Sequence, residues 1–196
     1  MTSKLESLQS WVDQVAAHTQ PEAIHWCTGS EQEYQDLIEL MLAHGTLTTL
    51  NRETHPNCYL HLSSPNDVAR VEHLTFICTH EKDDAGPNNL WMEPAEAHAK
   101  MDGLFAGCMR GRIMYVIPYC MGPINSPYSR CGVEITDSAY VVANMKLMTK
   151  MGNNALQRIE KEGTFVRGLH STGELDPDRR FIMHFPEELS IKSYGS

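Results

Sequence analysis

The hydrophobic pattern of the chain predicts helices and short strands in alternation. Near the start, apolar residues recur every three or four positions and indicate an amphipathic helix that ends near Pro21; they are Leu5, Leu8, Trp11 (or Val12) and Val15. Ser30 and Glu33 form a capping-box pair, which predicts a second helix that stops at Gly45. Pro94 suits the first position of a third helix, which Gly107 ends.

Two more helices are predicted in the second half of the chain. Asp137 and Ser138 cap a helix that carries Val141, Met145 and Met148 on one face and that Gly152 closes. Another helix covers residues 153–162. We expect Met145, Met148 and Met151 to pack in the core, and Lys146 and Lys150 to be solvated.

The predicted strands are short. They cover residues 23–27, 58–62, 73–79, 112–120, 133–136, 164–169 and 181–185. A single helical turn is predicted over residues 65–70, a polar loop over 80–90 and a turn over 176–178. No repeat or linker interrupts the alternation of strands and helices. The pattern therefore favours one α/β domain over residues 1–196, with a mixed sheet and flanking helices.

Composition excludes some classes of partner. The 196 residues carry a formal net charge of -9, so nucleic acid and anionic membranes are not expected to bind. The negative net charge does not exclude a small anion as a ligand, because a few arginines in a cleft dominate the local electrostatic field. The first 20 residues do not resemble a signal or transit peptide, and no stretch approaches a membrane span. The six scattered cysteines predict reduced thiols and a cytoplasmic protein.

Common local signatures of nucleotide binding, metalloprotease and serine hydrolase chemistry are absent from the sequence. His55, Cys58 and His61 have a spacing that suits a soft metal. A strand that begins near Cys58 would scatter these side chains over both of its faces, so unrelated loop and strand roles are favoured.

Three arginines are candidates for anion binding. Arg70 precedes a predicted strand and either binds a carboxylate or phosphate in a cleft or pairs locally with Asp67 or Glu72. Arg110 and Arg112 flank Gly111 and are expected on one strand face. They form either an anion site or two salt bridges to acidic helices, and the residues favour structural pairing.

One long segment makes the chain recognisable. Residues 107–152 read GCMRGRIMYVIPYCMGPINSPYSRCGVEITDSAYVVANMKLMTKMG and closely resemble the GTP-dependent phosphoenolpyruvate carboxykinases. The resemblance extends through PEAIHWCTGS, PNDVAR and the terminal ELSIKSYGS, and so covers essentially the whole chain. Ile113 and Cys120 depart from it, since members of the family usually have a small polar residue at these positions.

The resemblance implies the N-terminal, substrate-side domain of such an enzyme. The family converts oxaloacetate and GTP to phosphoenolpyruvate, GDP and carbon dioxide in gluconeogenesis, with Mn²⁺ or Mg²⁺. Its metal ligands, phosphate loop and guanine pocket lie beyond a segment such as SYGS, so no catalytic, metal or nucleotide ligand is assigned here, and none of these cofactors is expected to bind this chain tightly. Arg70, in the matching NDVAR context, resembles the arginine that grips the carboxylate of the substrate.

Three hypotheses follow for the isolated chain. In the first it is the substrate-side domain of a phosphoenolpyruvate carboxykinase, inactive alone, that binds oxaloacetate or phosphoenolpyruvate weakly. In the second it is a non-catalytic binding or regulatory module. In the third it is half of a split enzyme and assembles with a missing C-terminal domain, in which case an exposed apolar surface should mark the contact.

Overall fold

The computed structural model describes residues 3–65 and 71–195. Five α-helices occur among them: α1 (Glu6–Thr19), α2 (Glu31–Ala43), α3 (Pro94–Phe105), α4 (Ala139–Met148) and α5 (Asn153–Glu162). Eleven strands occur there as well: β1 (Ala23–Trp26), β2 (Thr48–Thr49), β3 (Tyr59–Leu60), β4 (Thr75–Ile77), β5 (Leu90–Trp91), β6 (Ile113–Met121), β7 (Arg130–Thr136), β8 (Lys150–Met151), β9 (Val166–Ser171), β10 (Phe181–Phe185) and β11 (Ser190–Tyr194). Short 3₁₀ turns cover 72–74, 82–85, 177–179 and 186–188.

Nine of these strands form one mixed sheet in the order β1-β6-β7-β9-β11-β10-β4-β5, with β8 beside the second half of β6. The central strands β7, β9 and β11 run parallel to one another, whereas β6 and β10 run antiparallel to their neighbours β7 and β11. Strands β2 and β3 form a separate two-stranded ribbon. The predicted α/β fold with a mixed sheet and flanking helices is confirmed.

Helices cover the two faces of the sheet unequally. Alternate residues of β6 point to opposite faces, so Met114 and Val116 join one apolar cluster while Tyr115 and Ile117 join another. The first cluster takes buried residues from α1, α3 and α5, and the second takes them from α2 and α4. This arrangement explains why β6 reads as a continuous apolar run.

Local capping signals predicted the helices well. Ser30 accepts a hydrogen bond from the Glu33 amide and Ser138 accepts one from the Val141 amide, while Pro94 lies in the first turn of α3. The predicted helical turn over 65–70 includes residues 66–70, which lie outside the described residues.

The end of α4 differs from the prediction. The helix stops at Met148 rather than at Gly152, because Thr149 is extended and both its amide and its hydroxyl donate to the Met145 carbonyl. Residues 150–151 then pair with β6 as strand β8. The expectation that all three methionines pack in the core is wrong for Met148, which is 68% exposed, whereas Met145 and Met151 pack against the second cluster. Lys146 is not simply solvated either, since its ammonium donates to the Gly29 carbonyl.

The cysteines also differ from the prediction. Cys120 lies directly opposite Cys131 in the β6–β7 pairing, with 4.1 Å between their Cα atoms, and a disulfide joins them. The expectation of six reduced thiols is therefore wrong for this pair, because neighbouring strands bring together two residues that lie 11 positions apart in sequence. The four remaining cysteines are free thiols.

Candidate functional site

Parallel strands end together at one edge of the sheet, and the candidate site lies there. Asp137 follows β7, Thr172 follows β9 and Gly195 follows β11. Because β6 and β10 run the other way, their first residues meet the same edge, where Arg112 precedes β6 and Arg180 precedes β10. Strand β4 is parallel to β10, so the chain just after residue 70 enters the sheet at this edge too.

An ionic network fixes the middle of this edge. The Asp137 carboxylate is fully buried and lies 2.7 Å from Arg112 Nη1. It also accepts hydrogen bonds from the Ser171 hydroxyl at 2.7 Å and from the Thr172 amide at 3.0 Å. Arg112 further donates to the Gly173 carbonyl at 3.1 Å, so the start of β6 is tied to the ends of β7 and β9.

The two candidate arginines of this segment have structural partners. The predicted structural pairing is confirmed for Arg112, whose side chain is 38% exposed. Arg110 instead lies in the turn before β6 and donates from Nε to the Gln20 side-chain oxygen at 2.8 Å. The predicted acidic partner is wrong for Arg110, because its Nε donates to a neutral amide.

A buried arginine at this edge was not expected from the sequence. Arg180 is 3% exposed, and its Nε donates to the Gly195 carbonyl at 2.8 Å. Its Nη2 is buried and has no hydrogen-bond partner among the described residues. A buried cationic donor without a partner is costly and rare. No sequence pattern points to it, because Arg180 immediately follows Arg179 and resembles an ordinary turn residue.

A cleft of about 640 Å³ opens beside this edge. Its walls come from the end of β3, the start of α4 and the end of β9, and include His61, Ser64, Tyr140, His170 and Thr172. The His61 ring lies against the Tyr140 ring with centroids 4.1 Å apart, and His170 Nδ1 lies 2.7 Å from the Thr136 hydroxyl. The volume suits a small-molecule ligand.

Arg70, the predicted substrate ligand, lies outside the described residues. The described chain reaches the cleft at Ser64 just before this segment and resumes at Val71, which lines a separate cavity of about 510 Å³ together with Glu72 and Thr75.

The structure does not bring His55, Cys58 and His61 together. Among the described residues, the group of histidine, cysteine and acidic side chains that is close enough to hold a metal ion is His25, Cys27 and Glu33. His61 Nδ1 instead donates to the Thr46 carbonyl at 2.8 Å, and His55 Nδ1 lies 2.8 Å from the Thr54 hydroxyl.

Comparison with known proteins agrees with this architecture. The family model described as "Phosphoenolpyruvate carboxykinase N-terminal domain" matches residues 10–196. The chain belongs to this family. The family resemblance drawn from residues 107–152 is thereby confirmed.

Curated relatives of the carboxykinase family extend well beyond the matched region. The chain is 51% identical to "Phosphoenolpyruvate carboxykinase [GTP]" of Anaeromyxobacter dehalogenans, over 96% of this chain and 32% of that protein. It is 48% identical to the protein of the same name from Chlamydia trachomatis, over 96% of this chain and 34% of the relative. The chain therefore spans about a third of the length of the curated relatives it matches.

No described helix is both long and apolar enough to cross a membrane.

Proposed function

We propose that this chain is the substrate-side part of a GTP-dependent phosphoenolpyruvate carboxykinase and is inactive alone. The observation that carries the proposal is the match itself, which covers 96% of this chain but only about a third of relatives named for that activity. By family, the complete protein converts oxaloacetate and GTP to phosphoenolpyruvate, GDP and carbon dioxide. We further propose a cytoplasmic location; the four free thiols support it, whereas the Cys120–Cys131 disulfide is the feature that argues against it.

In this proposal the chain binds and orients the carboxylate of the substrate through Arg70. Two features support an anion at this edge of the sheet. Arg180 Nη2 is an uncommitted cationic donor there, and the amino end of α4 forms part of the cleft wall. One charge-assisted hydrogen bond contributes about 1.5–3 kcal/mol, so the isolated chain should bind substrate with a dissociation constant of about millimolar or weaker.

The described residues do not fit the divalent metal of this reaction. Mn²⁺ and Mg²⁺ prefer oxygen ligands, whereas the one described group that could hold a metal includes the Cys27 thiol and lies toward the opposite edge of the sheet. Asp137, which precedes Ser138 in the cleft wall, is already committed to Arg112, Ser171 and Thr172. In the complete enzyme, Mn²⁺ or Mg²⁺ held by other residues would supply electrostatic stabilisation of the negative charge that develops in the reaction.

Nuclear magnetic resonance titration with phosphoenolpyruvate or oxalate tests the role of Arg70. We expect saturable shifts at residues of the cleft in the wild-type chain and a tenfold to hundredfold weaker response in Arg70→Gln, from the loss of about 1.5–3 kcal/mol. Arg52→Gln is the matched control, because Arg52 is exposed on the loop between β2 and β3. Equal responses from wild type and Arg70→Gln would contradict this assignment.

A coupled assay with GTP, manganese and oxaloacetate tests the claim of inactivity. We expect no turnover above background from the purified 196-residue chain. Robust turnover would overturn the proposal that the chemistry needs residues outside it. Saturable binding without turnover, even after the rest of a family enzyme is added, would favour the alternative of a non-catalytic binding module.

One observation favours assembly with a separate C-terminal domain as a second candidate. On the face that α2 and α4 cover elsewhere, β10 and β11 carry Ile182, His184 and Ile191, whereas α3 packs against the opposite face of these two strands. Ile191 is 36% exposed and Leu189 beside it is 54% exposed. Co-expression with the C-terminal two-thirds of a relative should then restore carboxykinase activity, and a failure to form a complex would count against a split enzyme.

A further inference from the structure

Three different metal-binding side chains converge between β1 and α2. His25 and Cys27 lie two residues apart on an extended segment, so their side chains point to the same face of the sheet. Glu33 reaches them from the first turn of α2. A ligand atom from each of the three residues lies within 4.8 Å of the other two. Histidine nitrogen, cysteine sulfur and carboxylate oxygen are the three ligand types that zinc takes in proteins.

The spacing of these atoms fits a tetrahedral ion. Zinc bonds of about 2.0–2.3 Å at tetrahedral angles place ligand atoms roughly 3.3–3.6 Å apart. His25 Nε2 and Glu33 Oε1 are already 2.8 Å apart, so an ion between them requires these two atoms to separate by less than about 1 Å. The Cys27 sulfur, at up to 4.8 Å, moves inward by up to about 1.5 Å.

Glu33 is held in place by the main chain. Its two carboxylate oxygens accept hydrogen bonds from the Thr28 amide at 2.9 Å and the Gly29 amide at 2.8 Å. A carboxylate has about four lone-pair positions, so these two bonds leave capacity for a metal. Such anchoring of a ligand is the usual way in which a protein orients a metal site.

The other two residues differ in their access to solvent. Cys27 is completely buried, while the His25 side chain is 46% exposed and provides the route by which an ion enters. Burial, with the Glu33 charge second, raises the pKa of the Cys27 thiol far above its usual range, so the thiol is neutral in the absence of a cation. Binding therefore releases the thiol proton to solvent, and the ion then offsets the two negative ligands.

We propose that His25, Cys27 and Glu33 form a zinc-binding site that joins β1 to α2. Water completes the coordination on the exposed side of His25. A thiolate ligand selects Zn²⁺ over Mg²⁺ and Mn²⁺, so this site is separate in chemistry from the metal of the proposed reaction. It is also separate in place, because β1 runs from the candidate functional site at Ala23 toward the opposite edge.

Cobalt titration under argon, without a reductant that would cleave the Cys120–Cys131 disulfide, tests this site directly. Co²⁺ reports on its ligands, since a thiolate gives a charge-transfer band and a four-coordinate site gives strong visible bands. We expect one equivalent of Co²⁺ to produce both bands in the wild-type chain and Zn²⁺ to abolish them. Absence of a saturable band in the wild-type chain would overturn the proposal.

Variants assign the bands to these residues. Cys27→Ser should remove the charge-transfer band, and His25→Gln should weaken Co²⁺ binding by at least about tenfold to a hundredfold. Cys58→Ser is the matched control, because Cys58 is exposed and belongs to the separate pattern of His55, Cys58 and His61.

Circular dichroism checks that each variant folds. If Cys27→Ser does not fold, the Co²⁺ affinity of His25→Gln tests the site, because His25 is half-exposed and its replacement should leave the fold intact. A band that survives in both His25→Gln and Cys27→Ser, or that disappears in Cys58→Ser, would contradict the site. None of these outcomes bears on the proposed carboxykinase function, which rests on other residues.

Discussion

At the scale of single residues, the buried Asp137 carboxylate holds three neighbouring residues in place. It bonds to Arg112 at the start of β6 and to Ser171 and Thr172 at the end of β9. A buried ion pair adds little to stability compared with an apolar substitute, but removal of one partner leaves the other charge buried and unpaired. The pair therefore specifies how β6, β7 and β9 meet more than it stabilises them.

Arg112→Met should lower the free energy of unfolding by about 2–3 kcal/mol. Fully buried pairs lose about 3–5 kcal/mol in such a change, and the smaller figure applies because the Arg112 guanidinium is partly solvated. Urea unfolding measures the difference, with Arg52→Met as an exposed control that should change stability by less than about 0.5 kcal/mol. Equal stability of Arg112→Met and wild type would mean that Asp137 finds other partners.

Glu134 should make the protein less stable as the pH rises. Burial raises the pKa of its carboxyl from 4.5 to about 8, so between these values the folded chain holds a proton that the unfolded chain has lost. The free energy of unfolding then falls with pH by up to about 1.4 kcal/mol per pH unit in this window.

Glu134→Gln should remove that slope, because the amide has similar size and no charge. Chemical denaturation at several pH values between 4.5 and 8 gives the comparison. The difference in the free energy of unfolding between wild type and variant cancels the contributions of other titrating groups. One of these groups is His184, whose pKa is lowered by burial. The same slope in both proteins would show that Glu134 is ionised in the fold.

At the scale of elements, the helices could be predicted from local signals in the sequence, but the order in which strands pair could not. Capping at Ser30, Pro94 and Ser138 depends on residues three or four positions apart, so the sequence alone revealed α2, α3 and α4. The Cys120–Cys131 disulfide and the unpaired donor of Arg180 depend on which strands are neighbours. Hydrophobic periodicity carries no information about strand order, so neither could be predicted.

The junction of β8 and α5 depends on a close contact between two glycines. Gly152 has φ +93°, and a Cβ at this residue would lie 1.9 Å from the Thr28 carbonyl oxygen. Gly29 on the opposing loop also has a positive φ, +70°, and its Cβ would lie 2.5 Å from the Met151 carbonyl oxygen. No side chain can flex to relieve either contact, because both involve main-chain atoms.

Gly152→Ala should therefore lower the free energy of unfolding by about 3 kcal/mol or more, since it combines an unfavourable φ with a main-chain overlap. Gly103→Ala is the matched control. Gly103 lies inside α3 with open space around it, so alanine there should stabilise the protein by about 0.5–1 kcal/mol. Thermal unfolding of both variants measures the contrast, and similar melting temperatures would refute it.

At the scale of the whole molecule, the family and the α/β fold could be predicted from the sequence, whereas the geometry of the candidate site could not. The resemblance rests on a long ordered segment, residues 107–152, most of which forms scaffold. The groups that shape the cleft, such as His61, Tyr140 and His170, come from β3, α4 and β9. Only the topology of the sheet and the helices around it brings such distant residues together.

The sheet itself predicts that residues 1–196 unfold as a single domain. Both apolar clusters share β6, and the sheet is continuous from β1 at one end to β5 at the other. Trp26 lies in β1 and Trp91 in β5, so tryptophan fluorescence can report on each end separately. The test uses two variants, one that keeps only Trp26 and one that keeps only Trp91, with the other tryptophans replaced by phenylalanine. In each variant we expect the urea midpoint from fluorescence to equal the midpoint from far-ultraviolet circular dichroism, which measures the stability of that variant as a whole. If the Trp91 end instead unfolded at lower urea than the Trp26 end, β10, β4 and β5 would form a separate, weaker unit, and the single-domain prediction would be wrong.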